Sequence, residues 1–135
     1  MSVDPSLVGR EFPAPATLVV TADRVSAFAA AVGQPDDGAV PPTFPIVLAF
    51  DAMQAFLDAE RVDLHRIVHG EQRFTYERPL REGDELSATL TVTGLRQIGG
   101  ADIIATASEI RDAAGDLVCT GKATLVHSSG QGGAA

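Results

Sequence analysis

The chain has 135 residues, 45% hydrophobic and 21% charged, with a net charge of -8. That length fits one domain able to bury roughly two-thirds of its extended-chain surface, and the apolar content excludes a disordered chain. The acidic balance argues against nucleic acid as a partner, the single cysteine (Cys119) excludes an internal disulfide, and no apolar run reaches membrane-spanning length.

No basic segment followed by an apolar run opens the chain, so a cytoplasmic location is expected. One domain over residues 1–127 is expected, followed by a Gly/Ser-rich flexible tail at 128–135. Met1 to Pro15, rich in proline and polar residues, is expected to lie over the surface before a short strand at Ala16 to Val20. A helix follows, with Thr21 as N-cap, Asp23 at the positive end of its dipole and Gly33 as its stop. Val25, Phe28, Ala29 and Val32 share one face of it.

From Gly33 to Pro45, four prolines and two glycines forbid regular structure. Ile46 to Asp58 then reads as a second helix, with Pro45 suited to its first turn. Ile46, Phe50, Met53 and Leu57 form its stripe, thickened by Val47, Leu48, Ala49, Ala52, Ala55 and Phe56, which predicts a mostly buried helix.

Beyond the charged connector Glu60 to Arg66 the period changes from helical to alternating. Ile67 to Arg78 is the first strand; Leu86, Ala88, Leu90 and Val92 alternate with Ser87, Thr89, Thr91 and Thr93 in the next. Gly99-Gly100 supplies a hairpin turn, Ala101 to Asp112 returns, and Ala113 to Asp116 turns into Leu117 to His127. Long antiparallel strands curling around one apolar helix predict an α+β hot-dog fold, with an ordinary α+β sandwich as the other arrangement.

Pro41-Pro42-Thr43-Phe44 before the central helix, Val68-His69-Gly70-Glu71-Gln72-Arg73-Phe74 after it, and then Tyr76, Pro79-Leu80 and Gly83-Asp84 occur in a telling order. Over about Leu7 to His127 the chain resembles the MaoC-like hot-dog hydratases and dehydratases, specifically the N-terminal, non-catalytic partner class of two-subunit (3R)-hydroxyacyl-ACP dehydratases. Active members resemble one another in an Asp-x-Asn-Pro-x-His loop, whose Asp and His handle water and a proton. The matching stretch here, Gln34-Pro35-Asp36-Asp37-Gly38, has carboxylates but neither Asn nor His, and the chain contains no asparagine at all. Hydration of an enoyl thioester needs a base and a proton donor, and exposed aspartates perform that pair of tasks poorly.

The resemblance therefore implies a division of labour, in which this chain shapes the acyl tunnel and a second hot-dog chain supplies the dyad. No catalytic residue is expected on this chain. Pro42, Thr43 and Phe44 of the loop and His69, Gly70, Glu71 and Gln72 of the strand are expected to line the pocket, with Phe50, Met53 and Leu57 bordering the acyl chain. Core packing is the other reading of those three. His69 is expected to hydrogen-bond the thioester or the partner's loop, or else to be a satisfied structural residue. Strand alternation puts Glu71 on its face and Gln72 with Gly70 and Phe74. Thr43 and the free amides opening the second helix are candidates for polarising a thioester carbonyl, with simple capping as the alternative.

The implied ligand is an acyl-CoA or acyl-ACP thioester, and the implied assembly a homo- or heterodimer that covers an exposed sheet edge. Arg66, Arg73, Arg78 and Arg81 crowd the His69 strand, where they would meet a phosphopantetheine, a coenzyme A phosphate or an acidic carrier, or simply be solvated. One rival is a thioesterase using Asp51, which shares a helical face with Asp58; another is a non-enzymatic acyl-binding dimer. Cys119 reads as inert strand packing, His65 and His127 lack ligand spacing, and neither a metal nor another cofactor is expected.

Overall fold

Two helices, α1 (Ala22–Val32) and α2 (Ile46–Ala59), precede four long strands in the computed structural model, which describes residues 5–34 and 39–128. The Asp36 and Asp37 stretch at 35–38, residues 1–4 and the tail from residue 129 onward lie outside the described residues. Among the described residues no helix is long and apolar enough to cross a membrane.

Local chemistry sets the ends of α1. Thr21 is extended and its side chain accepts from the Arg24 amide at 3.2 Å, while Gly33 takes the left-handed conformation (φ 73°) that closes the last turn. Val25 and Ala29 are buried as the periodicity predicts, but Val32, expected on the same face, is exposed in the last turn.

The strands are β1 (Glu11–Pro13), β2 (Leu18–Val19), β3 (Ile67–Tyr76), β4 (Glu85–Ile98), β5 (Ala101–Arg111) and β6 (Leu117–Ser128). All pairings are antiparallel, in the order β1-β4-β5-β6-β3, with β2 added to the start of β4. β1 lies within the segment expected to run over the surface; its three residues pair with Thr89 to Thr91, and only Phe12 turns inward. Gly99 and Gly100 take φ of 56° and 83° at the β4–β5 turn, a geometry that side chains resist.

One face of this sheet carries α2. Leu86, Ala88, Leu90 and Val92 of β4, Ile104 and Ile110 of β5, and Cys119 and Leu125 of β6 join Ala52, Met53, Phe56 and Leu57 of α2 in one core. Phe12 meets Phe56 at 5.0 Å between ring centroids, fixing β1 against the helix. This is the hot-dog arrangement, a sheet around a central helix. The helix is not buried all round, because Phe50, on the predicted stripe, is 42% exposed, whereas Leu48, Ala49, Ala52 and Phe56 face the core. The buried arc is thus rotated toward the residues expected merely to thicken the stripe.

Candidate functional site

The site is set by an irregularity in β3. Pairing with β6 runs Ile67 to His127, Val68 to Val126 and His69 to Leu125, then skips Gly70 and resumes with Glu71 opposite Thr124 and Gln72 opposite Ala123. A bulge exchanges the faces of everything after it. His69 and Gln72 therefore share the helix-facing side, and the ring nitrogen His69 Nε2 lies 2.9 Å from Gln72 Oε1. The alternation-based expectation that Glu71 would join His69 is overturned; Glu71 is exposed and pairs with Arg73.

Gly121, opposite Phe74, makes room for this arrangement. A Cβ there would lie 3.0 Å from Phe74 Cε1 and 3.1 Å from Gln72 Nε2, closer than side chains normally tolerate. Beside the pair a narrow crevice opens between α2 and the sheet. Ile46, Ala49, Phe50 and Met53 form its helix wall, and Leu90, Thr106, Ser108, Gly121 and Ala123 its floor, with His69 and Gln72 along the β3 side. Its interior of about 10 Å³ holds roughly one water, not an acyl chain. Among the described residues His69 is the only titratable one in this lining.

Thr106 and Ser108 were not foreseen, although both are almost wholly buried. The signal was present in parity: Ile104, Thr106, Ser108 and Ile110 fall on one face of β5, yet hydroxyls at alternate positions read as belonging to the wet side. Gly121 carries no such signal, since only its cross-strand neighbour explains it.

The remaining expected residues divide. Phe50, Met53, His69 and Gln72 come together, whereas Phe44 is buried edge-on against Phe28, with centroids 5.4 Å apart, and Leu57 lies in the core. Pro42 and Thr43 are exposed in the loop. The Pro42 carbonyl accepts a hydrogen bond from the Tyr76 hydroxyl, which pins the loop to the end of β3. Burial, with a smaller contribution from Cys119, pushes the Tyr76 phenol well above its ordinary value.

The expectation of free amides at the start of α2 is also corrected. The Phe44 amide donates to Pro41 at 2.9 Å, Ile46 to Thr43 at 3.0 Å and Val47 to Phe44 at 3.1 Å. Pro45 has no N–H to offer. A tight turn thus feeds the helix and uses those donors internally, leaving them unsuited to a thioester carbonyl.

Of the clustered arginines, Arg78 is committed inside the protein. It donates to both oxygens of Asp84, at 2.9 and 3.1 Å, and to Asp112 at 3.3 Å, and these contacts brace the turns at the ends of β4 and β5. Asp51 and Asp58 are exposed, and Asp51 does not line the crevice. Cys119 is buried, with its thiol pushed up to about 11 by desolvation, as inert packing requires. His127 forms a buried pair with Asp102, 3.1 Å from Nδ1 to Oδ2. Among the described residues no group of three or more His, Cys, Asp or Glu is placed to hold a metal ion.

Comparison with known proteins places this geometry in a family. Residues 36–121 match the family described as "FAS1-like, dehydratase domain region". A UPF0336 protein of Clavibacter michiganensis is 41% identical over 143 residues, covering 93% of this chain and 96% of the relative. One from Cutibacterium acnes is 37% identical over 99% and 100% of the two chains. Among solved structures, a chain of the C-terminally truncated HadBC (3R-hydroxyacyl-ACP dehydratase) complex of Mycobacterium tuberculosis is 27% identical with a TM-score of 0.77, covering 89% of this chain and 96% of that one. A MaoC-like dehydratase shares the fold at a TM-score of 0.81 and 23% identity, over 93% of this chain and 43% of the other. With a six-stranded sheet around α2 and a match over most of its length, the chain belongs to the FAS1-like dehydratase-region family of MaoC-like hot-dog proteins and is a relative of the UPF0336 proteins.

Proposed function

We propose that this chain is the substrate-shaping subunit of a (3R)-hydroxyacyl-thioester dehydratase, acting in the hydration direction on enoyl thioesters as well, and that a second hot-dog chain supplies the Asp/His dyad. The observation that carries this reading is the incompleteness of the crevice. Removing water from a hydroxyacyl thioester requires a base at the α-carbon and an acid at the departing hydroxyl. Among the described residues the crevice offers His69 alone for both tasks.

Its location supports the same reading. Among the described residues β3 pairs only with β6, which leaves its outer edge to receive another chain, and His69, Gln72 and the exposed Phe50 are placed beside that edge. A chain docked there would bring its catalytic loop to the crevice mouth. Phe50 and Met53 would border the acyl group, entering it on displacement of the flexible Met53 side chain, because the crevice as it stands admits no chain. The HadBC relative, a complex of two named subunits, fits this arrangement.

The thioesterase alternative loses its candidate, since Asp51 is outside the crevice. The test is analytical ultracentrifugation of the chain alone and mixed with a hot-dog protein bearing the Asp-x-Asn-Pro-x-His loop, together with free-thiol release from an acyl-CoA. A mixed dimer without thiol release is expected. Thiol release by the chain alone, abolished in Asp51→Asn, would replace this reading with the thioesterase.

A further inference from the structure

The pairing of His69 with Gln72 has a chemical consequence that rests on the dehydratase reading and sharpens its substrate. Gln72 Nε2 is turned toward the Arg73 carbonyl, 3.5 Å away, and so presents Oε1 to the imidazole at 2.9 Å. An amide oxygen can only accept, so the neutral ring must carry its proton on Nε2. Nδ1 is then left with a lone pair and no proton.

We propose that Gln72 is a positioning residue that holds His69 in the Nε2–H form, so that His69 receives a hydrogen-bond donor from the ligand: the 3-hydroxyl of a hydroxyacyl thioester rather than the thioester carbonyl. A carbonyl offers no proton to Nδ1, whereas a hydroxyl does. Three independent features converge on this arrangement. The bulge at Gly70 brings the two side chains to one face, Gly121 leaves space for the glutamine, and Thr106 and Ser108 give the same crevice a hydroxyl-lined floor. None of the three is needed for a merely apolar wall.

Long-range ¹H–¹⁵N spectra of the full chain at neutral pH report the tautomer, with His69 assigned by its loss in His69→Ala. The Nε2–H form is expected in the native protein, with a measurable Nδ1–H population in Gln72→Ala and in Gln72→Leu, the latter keeping bulk beside Gly121. Calorimetric titration of 3-hydroxyoctanoyl-CoA and octanoyl-CoA into the chain paired with a partner whose Asp-x-Asn-Pro-x-His histidine is replaced by alanine, so that no turnover occurs, is the second arm. The hydroxylated ligand is expected to bind about fivefold more tightly, the scale of one neutral hydrogen bond, and to lose that preference in both glutamine variants. An Nδ1–H form in the native protein, or a tautomer unaffected by both substitutions, overturns the role of Gln72. Equal binding of the two thioesters overturns the hydroxyl assignment. Binding of neither, with the tautomer as expected, instead defeats the dehydratase reading and the hydroxyl with it, and leaves Gln72 as the residue that orients His69.

Discussion

Tyr76 on β3 donates its hydroxyl to the carbonyl of Pro42, 34 positions earlier, so one hydrogen bond holds the Pro-rich loop against the strand that carries His69. The loop itself is irregular because its prolines withhold donors, and this side chain gives it a fixed attachment. Replacing Tyr76 with Phe keeps the ring and removes the tie. The expected result is a loss of about 1 kcal/mol in urea denaturation, with faster amide exchange at Val40 and Thr43 and little change in β4 or β5. Uniform loosening of the sheet would contradict a local role.

The pair of Asp102 and His127 is almost fully enclosed, at 1% and 4% exposure, and Gln97 Nε2 donates to the second Asp102 oxygen at 3.0 Å. It is separated from the crevice along β5 by Ile104 and has no part in the proposed chemistry. Asp102→Ala removes the acceptor that both neighbours use, and is expected to cost about 3 kcal/mol in denaturant titration. A cost near zero would mean that the pair does not hold the β4–β5–β6 corner.

Alkaline stability follows from two acids, one buried and one half-buried. The Cys119 thiol is raised from 9.0 to about 11 and the Tyr76 phenol is raised from its ordinary 10.0. Each favours the protonated folded state, so its contribution is complete below the unfolded value and is lost as pH rises through the folded one. Stability should fall from about pH 9 upward. Cys119→Ala should flatten the first part of that decline, leaving the part due to Tyr76; denaturation midpoints measured against pH distinguish the two.

At the acid end the sign reverses. Asp84 is held below the ordinary 3.8 chiefly by Arg78, and Asp112 first by the Asp116 amide and then by Arg78. Their stabilisation is present above the ordinary value and lost as pH falls through the lower folded values. In Arg78→Leu this acid-dependent loss should shrink, more for Asp84, which then keeps only the Arg81 amide among these donors, than for Asp112, which keeps the amides of Ala114 and Asp116. Urea midpoints from about pH 5 down to about pH 2 check it.

Much of this architecture is legible in the chain because it is written in local chemistry. Thr21 and Gly33 mark the ends of α1, Gly99-Gly100 marks the hairpin, and the period of β4 declares its inward face. The site is less legible because its geometry depends on partners distant in sequence. The bulge at Gly70 arises from register against β6, so a strict two-residue period puts Glu71 where Gln72 belongs. Phe50 fits the apolar stripe of α2, yet its exposure depends on how the helix is rotated over the sheet. The amides opening α2 look free until the turn from Pro41 to Pro45 is seen to occupy them. A buried Thr106 or Ser108 is likewise indistinguishable from a wet-face hydroxyl until the neighbouring strands are in place.

The most direct measurement of the central claim is hydration of a trans-2-enoyl-CoA followed at the enoyl absorbance, with the purified chain alone, with a partner carrying the Asp-x-Asn-Pro-x-His loop alone, and with the two mixed. The account predicts that the chain alone is inactive, and that the mixture exceeds the partner alone by about tenfold or more, the scale of correctly positioning a substrate beside an acid–base pair. Turnover by the chain alone at the rate of the mixture would contradict it, and would mean that the chain carries a complete acid–base set of its own.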